Sequence, residues 1–169
     1  AKGYSLMQAG GVISVNTLAG IIGALAFGFA SDKIFNARRP PTNLIFAVVE
    51  IAGLLMIFFG PTGRPTFMTF AFFIYGFGLT GLITSLGGLY ALDIAPKRAA
   101  GAAMGFIGVF SYIGAALQDQ ISGHLIEKGM TVVDGVRHYD FSAAITFWVG
   151  ASIVSLILAT TLWRVKLRD

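Results

Sequence analysis

Apolar residues run in long blocks along the chain, and short polar segments separate the blocks. The polar segments are SDKIFNARRPP (31–41), GPTGRP (60–65), DIAPKR (93–98) and EKGMTVVDGVRHYD (127–140). The apolar blocks cover residues 6–30, 42–59, 66–92, 99–126 and 141–163. Each has about 18 to 28 residues, which as a helix crosses a hydrocarbon core of about 30 Å. Because the blocks are too long for strands and do not alternate strictly, they predict an all-α membrane protein with five transmembrane helices.

Composition supports a membrane protein over its alternative, a very apolar soluble α domain. The 169 residues are 56% hydrophobic and 12% charged, with a mean hydropathy of +0.78. An ordinary soluble domain is about 25% charged. The chain has no cysteine, and its two histidines lack a regular ligand spacing, so we expect no metal site. No phosphate-binding loop or catalytic set is present, so we expect neither an enzyme nor a cofactor.

Basic residues lie at the ends of the apolar blocks, which suits membrane orientation better than nucleic-acid binding. One side holds eight of them, Lys33, Arg38, Arg39, Lys97, Arg98, Arg164, Lys166 and Arg168. The other side holds four, Lys2, Arg64, Lys128 and Arg137. The positive-inside rule therefore predicts a cytoplasmic C-terminus and an external N-terminus. The chain begins AKGYS without a methionine, and we expect a piece of a longer protein.

Two acids lie inside the predicted spans, where an ionisable residue is a functional hypothesis by default. Glu50 is near the middle of the second span, and Asp119 lies in the fourth between Gln118 and Gln120. Either acid could carry protons or pair with a cation, or simply form a hydrogen bond with a neighbouring helix. Neutral polar residues in the spans either join helices or line a water-filled path: Asn16, Thr17, Thr80, Thr84, Ser85, Ser111 and Tyr112.

Small residues recur at helical spacing and predict close helix packing. Gly20, Ala24 and Gly28 are four apart in the first span, and Gly101 and Gly105 form a GxxxG motif in the fourth. The third span carries five glycines, which favours a helix that bends: Gly76, Gly78, Gly81, Gly87 and Gly88.

Three stretches resemble a known family, and one of them is SDKIFNARRPPTNLIF, with its SDK-x-F pattern and closing Arg-Arg-x-Pro. Gly28-x-x-x-Asp32-Lys33, followed by Arg38-Arg39, is similar to the loop signature of the major facilitator superfamily. ALDIAPKRAAGAAMGFIGVFSYIGA, residues 91–115, resembles the organophosphate:phosphate antiporters of that superfamily, a group that includes a related hexose-phosphate sensor. The resemblance implies that residues 1–169 are a partial C-terminal transmembrane domain, helices eight to twelve of a twelve-helix fold.

The resemblance also implies a function. We expect a segment of a secondary transporter that exchanges sugar phosphate or another organophosphate for inorganic phosphate by alternating access, in a bacterial inner membrane. The alternative is a sensor of external hexose phosphate that signals to a membrane kinase; a structural subunit without a ligand is a third reading. The expected partners are the lipid bilayer, the missing N-terminal half and helix seven of the same protein, and the two phosphate ligands, but no nucleic acid.

Candidate residues follow from the spans and the resemblance. The substrate-path candidates are Asn16, Thr17, Thr80, Thr84, Tyr112 and Asp119, with Tyr112 matching a cavity-facing family tyrosine. The expected cytoplasmic gate loop contains Gly28, Asp32, Lys33, Arg38 and Arg39, and its charges should latch against the opposite half. The phosphate-binding arginines of the family belong to helices one and seven, outside this chain. Thr17 replaces a frequent family glutamate, and Thr80-Gly81-Leu82 replaces aromatic-Gly-Pro, so both departures bear on substrate and coupling.

Overall fold

The computed structural model of the chain describes residues 5–161 and residue 163. Its elements are α1 (Leu6–Phe29), α2 (Arg39–Phe59), α3 (Pro65–Thr84), α4 (Tyr90–Ile94), α5 (Ala100–Lys128), β1 (Met130–Val133), β2 (Val136–Tyr139) and α6 (Ser142–Thr161). π-Helical turns extend α1 through Ala30–Ile34 and join α3 to α4 through Ser85–Leu89. In the described part, five helical stretches are long and apolar enough to span a membrane: Met7–Ile34, Arg39–Phe59, Pro65–Ile94, Ala100–Lys128 and Ser142–Thr161. The five predicted spans are thus confirmed.

Local signals in the sequence place the helix starts. Ser5 and Gln8 form a capping box at the start of α1, in which each side chain bonds the other residue's backbone. Pro40 and Pro41 occupy the first turn of α2, and Pro65 begins α3. Proline fits a first turn because the backbone N–H groups there have no helical partner. The two prolines therefore begin the second span.

The core of the bundle is α3, which packs against both α1 and α2. Glycines allow the close approach: a methyl group added at Gly78 would lie 2.6 Å from the backbone nitrogen of Glu50. One added at Gly53 would lie 2.7 Å from the Cα of Tyr75. Gly20 faces the Thr80 side chain across the α1–α3 interface. Small residues thus bring the backbones together where a bilayer supplies no hydrophobic drive for helix association.

Other glycines behave differently from the sequence expectation. Gly28, Gly101 and Gly105 have open space where a Cβ would lie, so the predicted GxxxG face of α5 packs on nothing that the structure describes. Gly87 and Gly88 fall in the π-helical turn between α3 and α4. A π-helical turn is a local departure from α geometry. The glycine load of the third span therefore divides between close packing before Thr84 and an irregular turn after it.

The last part of the chain is loosely attached to this core. Ser122 is the one buried residue of α5 among those described. A β-hairpin, which the sequence analysis did not predict, follows α5. Its strands β1 and β2 are antiparallel, and Met130 lies opposite Tyr139. The hairpin turns at Asp134 and Gly135, both with positive φ. Residues 130–139 of the predicted polar break therefore form a hairpin, while the break's first two residues belong to α5.

The antiparallel helices give the bundle two ends. We call the end with the 31–38 turn, Asp93 and Trp163 the charged end, and the end with the 60–64 turn and the β-hairpin the hairpin end. The predicted sidedness depends on residues at both ends, and four of those counted (Lys2, Arg164, Lys166 and Arg168) lie outside the described residues. The orientation of the bundle in a membrane stays a prediction.

Candidate functional site

A buried arginine is the centre of the charged end. Arg39 begins α2, and only 6% of it is exposed. Its Nε donates to Oδ2 of Asp93 at 2.8 Å, and one terminal nitrogen donates to Oδ1 of Asp32 at 2.6 Å. The same nitrogen also donates to Oγ of Ser31 at 2.8 Å. One planar guanidinium can make these bonds together because its donors are held in a fixed fork.

This cluster ties three segments of the chain together. Asp32 and Ser31 belong to the π-helical turn after α1, Arg39 to α2, and Asp93 to α4 at the end of the third span. The two carboxylates also lie beside the N-terminus of α2, where the helix dipole favours negative charge. Asp93 is more enclosed than Asp32, whose side chain is 57% exposed. Asp32 therefore keeps a free face toward the surroundings while it is paired with Arg39.

The other predicted gate-loop residues stand apart from the cluster. Lys33 and Arg38 are exposed, and the guanidinium carbon of Arg38 lies 6.0 Å from the ring centre of Trp163. The chain turns between α1 and α2 at Asn36 and Ala37, both with positive φ. Although Arg38 and Arg39 are adjacent after this turn, Arg39 is buried and Arg38 is exposed.

Thr42 and Asn43, two buried polar residues of α2 that follow Arg39, were not singled out from the sequence, whereas the buried Ser85 was. The amide nitrogen of Asn43 donates to the hydroxyl of Tyr90 at 3.1 Å. The side-chain oxygens of Thr42, Asn43 and Ser85 are buried without a hydrogen-bond partner in the described part of the chain. The sequence of residues 31–43 indicates a charged loop, but it does not show which side chains of the loop are buried.

The structure separates the substrate-path candidates into two groups. Asn16 and Thr80 lie at the α1–α3 interface, where Asn16 faces Gly76 and Thr80 faces Gly20. Thr84 donates to the carbonyl of Thr80 at 2.9 Å and so satisfies its hydroxyl within α3. The carbonyl oxygen of the Asn16 side chain has no hydrogen-bond partner among the described residues.

Three candidates lie on exposed surfaces instead. Thr17 is exposed on α1, Tyr112 is 81% exposed on α5, and Asp119 is exposed about two turns farther along α5. No ion pair joins Asp119 to another residue in the ranges that the structure describes. The structure therefore does not bring Tyr112 and Asp119 together with Asn16 and Thr80 into one site.

The second internal acid lies in a cavity. Glu50 is buried in α2, and its Oε1 accepts a hydrogen bond from the hydroxyl of Ser152 on α6 at 3.2 Å. The cavity beside it has a volume of about 580 Å³ and is also lined by Tyr75 and Gln118. A second cavity of about 440 Å³, lined almost entirely by apolar residues, lies toward the hairpin end. The stacked rings of Phe58 and Trp148, 5.6 Å apart, line both cavities.

Neither cavity has a basic side chain among its described lining residues. An organophosphate needs cationic or N–H donors, and a guanidinium supplies the best match to its oxygens. Arg39, the one buried arginine among the described residues, is already bonded to two carboxylates. The described residues therefore do not form a complete phosphate site.

Comparison with known proteins gives a consistent set of relatives. Residues 1–118 match the Major Facilitator Superfamily. The chain is 40% identical over 115 residues, 68% of its length, to a protein of Salmonella typhimurium named membrane sensor protein UhpC, of which it covers 26%. It is 28% identical to a glycerol-3-phosphate transporter of Bacillus subtilis, over 97% of this chain and 35% of that protein. It is 32% identical to a probable hexose phosphate transport protein of Chlamydia trachomatis, over 96% of this chain and 34% of that protein. The chain thus spans about a quarter to a third of the curated relatives it matches.

Proposed function

Because the chain belongs to the Major Facilitator Superfamily, we propose that it is part of a secondary transporter that exchanges an organophosphate, such as a sugar phosphate, for inorganic phosphate. The resemblance of residues 91–115 to the organophosphate:phosphate antiporters is confirmed by the relatives. The observation that carries the proposal is the alignment of nearly the whole chain with two proteins named as transporters of such phosphates. Transport is a property of the complete fold, and this chain supplies a part of it.

The rest of the transporter is part of the proposal. The relatives are about three times as long as this chain, which fits five helices out of twelve. In this reading the described spans are helices eight to twelve, and α5, whose surface is open, packs on segments that precede this chain. The arginines that hold phosphate in the family would come from helices one and seven. We call the longer protein that contains this chain the full-length protein.

The Arg39 cluster suggests how the gate loop takes part in alternating access. Transporters of this kind rock one half against the other around a central site. Arg39 fixes the loop to the end of the third span through Asp93 at 2.8 Å. Asp32 is paired with the same arginine but is more than half exposed, so it can also face a helix of the opposite half. The loop and the third span would then move as one body when the cytoplasmic side opens.

Substitution of Asp32 with asparagine tests this part of the proposal. The Asp32→Asn variant of the full-length protein should shift the balance between inward- and outward-open states, as measured by accessibility labelling. Asp134→Asn is the control because it makes the same change at an exposed residue of the hairpin turn, outside the gate loop. Unchanged accessibility in Asp32→Asn would contradict a gating role for the loop.

Phosphate exchange tests the proposed function itself. Proteoliposomes containing the full-length protein would be loaded with labelled phosphate and diluted into glucose 6-phosphate, with glycerol 3-phosphate as a second substrate. We expect saturable, counter-substrate-dependent loss of label. Absence of exchange with every organophosphate tried would overturn the transporter proposal.

A sensor is the second candidate function, and a specific observation favours it. The 40% identity to membrane sensor protein UhpC exceeds the 28% and 32% identities to the two transporters, although over a shorter stretch. In that case the full-length protein binds hexose phosphate and signals to a membrane kinase. Tight binding of glucose 6-phosphate with negligible exchange would support the sensor. Failure of any phosphate ligand to stabilise the protein would favour the structural-subunit reading.

The membrane assignment also includes an orientation. We propose that the protein lies in a bacterial inner membrane with the charged end in the cytoplasm, following its excess of basic residues. This chain contributes no cysteine of its own, so a single-cysteine variant requires removal only of cysteines elsewhere in the full-length protein. A single cysteine at Lys97 should be closed to an impermeant external thiol reagent, whereas one at Arg137 in the hairpin should react.

A further inference from the structure

We propose that Glu50 is an exchangeable proton-binding site, positioned by Ser152, in the cavity between α2, α3, α5 and α6. The ligand of this site is a proton, which makes the site distinct from any phosphate site. The inference goes beyond the proposed exchange of phosphates, since a protonation site of this kind makes the bundle respond to pH whether the protein transports or senses.

The position of Glu50 makes an unpaired charge unfavourable. Glu50 follows the start of α2 at Arg39 by eleven residues and precedes its end at Phe59 by nine. At about 1.5 Å per residue it is about 14 to 17 Å from either end of the helix. Only 7% of the residue is exposed. A carboxylate at such a depth needs a cation, a bound proton or strong hydrogen bonds.

Among the residues that the structure describes, the elements packed around Glu50 bring no cation to it. From α3 come the backbone of Gly78, whose lack of a side chain lets the two helices approach, and the phenol of Tyr75. From α6 come the hydroxyls of Ser152 and Ser155, and from α5 the amide of Gln118. Tyr75 is the one titratable group besides Glu50 in the described lining of the cavity. A proton on Glu50 removes the uncompensated charge that these neutral neighbours cannot balance.

The cavity gives the proton a place to arrive and leave. Its volume of about 580 Å³ is many times the roughly 30 Å³ that one water occupies in the liquid. Most of its lining is apolar, and the polar groups near Glu50 (Gln118, Ser152 and Ser155) give a water several side chains to bond at once. Ser155 lies three residues after Ser152 on α6, and therefore extends the row of hydroxyls toward the charged end. The Phe58–Trp148 stack lies on the other side, between this cavity and the apolar one.

Ser152 acts through Glu50 as a positioning residue. Its hydroxyl donates to Oε1 at 3.2 Å and joins α6 to α2 across the cavity. That bond holds the carboxyl toward the polar side of the cavity, where a water can reach it. Loss of the hydroxyl should leave the acid in place but weaken the hydrogen bond to its carbonyl oxygen.

Infrared difference spectroscopy of the full-length protein tests the proposal without any substrate. We expect a protonated-carboxyl band that titrates with pH and shifts to lower frequency in D₂O. It should be absent from Glu50→Gln and retained in the control Glu127→Gln, which removes an exposed acid at the hairpin end. Ser152→Ala should move the band to higher frequency because the carbonyl loses its donor. No phosphate flux enters this readout, so it stands or fails separately from the proposed function.

Three results would overturn the proposal. The first is a carboxylate signal from Glu50 at every pH, which would indicate an unrecognised cation partner. The second is a protonated band that neither titrates nor exchanges in D₂O, which would indicate a sealed structural acid. The third is a band that changes with sodium concentration at fixed pH, which would indicate a metal-cation site. If Glu50→Gln does not fold, the D₂O shift and the Ser152→Ala shift decide the matter in proteins that keep Glu50.

Discussion

Removal of Arg39 gives the sharpest test of the cluster at the charged end. Arg39→Ala deletes a guanidinium that is hydrogen-bonded to Asp93, Asp32 and Ser31. The side chain of Arg39 is only 8% exposed. Arg38→Ala removes the same charge from the adjacent, exposed position. The pair of variants therefore separates the effect of the bonds from the effect of one positive charge.

The structure sets the expected size of the difference. A hydrogen bond to a charged group contributes about 1.5–3 kcal/mol, and we assign that range to the Arg39–Asp93 bond because both side chains are largely enclosed. Asp32 is 57% exposed, so solvent screening reduces its pair to at most about 1 kcal/mol. Arg39→Ala should therefore lower the free energy of unfolding by about 2–4 kcal/mol. Arg38→Ala loses a cation–π contact with Trp163 of about 0.5–1 kcal/mol.

Denaturant unfolding of the full-length protein in mixed micelles, followed by tryptophan fluorescence, measures both variants. A double-mutant cycle with Asp93→Ala should give a coupling energy of about 1 kcal/mol or more with Arg39. Arg39→Lys should fall between wild type and alanine because one ammonium lacks the fork that reaches both acids. Equal losses for Arg38→Ala and Arg39→Ala, or a coupling below about 0.5 kcal/mol, would refute the reasoning.

Three further predictions follow from local geometry. Gly78→Ala should destabilise the protein by about 1–3 kcal/mol, since the added methyl group would lie 2.6 Å from the backbone of Glu50. The control Gly150→Ala places its methyl group in open space and should be neutral or stabilising. Equal effects of the two substitutions would contradict the packing of α3 on α2. Asp140 caps the start of α6 by accepting hydrogen bonds from the Ser142 side chain and backbone, and these bonds lower the pKa of Asp140. The cap therefore stabilises the folded protein at a pH above the pKa of Asp140 in the unfolded chain. This stabilisation is lost as the pH falls through the pKa of Asp140 in the folded protein. The protection factor of the Ser142 amide, which compares its exchange rate with the intrinsic rate at the same pH, should therefore fall in acid, but not in Asp140→Asn. The same acid response in both proteins would argue against the cap. Gly135→Val should unpair the hairpin because φ is +77° there, as amide exchange in β1 and β2 would show; unchanged protection would count against the strain.

The sequence predicted the spans well, but it did not predict which of the charged residues are buried. The five spans were predictable because hydrophobic length alone defines them. The sequence put Arg39 in the gate loop, but its pairing with Asp93, 54 residues away, depends on how the third span packs. Glu50 and Asp119 looked alike as acids within spans, and only the packing of α6 on α2 shows that Glu50 is enclosed.

The hairpin is a different case, because a local signal was present. Asp134-Gly135 stands between β-branched residues, which is a strong hairpin signal at short range. The hairpin was missed because residues 127–140 were interpreted only as a polar segment between two hydrophobic blocks. Asn43 and Tyr90 had no such signal, because polar residues near span ends are normally solvated.

The π-helical turn between α3 and α4 makes the number of residues in the third span a structural variable. One residue of an α-helix corresponds to about 100° of rotation. A π-helical turn closes i→i+5 hydrogen bonds, so it uses one residue more than an α-helical turn to complete nearly the same rotation. Deleting Gly87 should therefore let the turn relax to α geometry and leave Asp93 directed toward Arg39, with the coupling energy between them retained. A second deletion finds no extra residue to remove, and it should rotate Asp93 by about 100° and abolish the coupling. The turn thus acts as a reserve of one residue, which lets the third span change its length once without losing the ion pair.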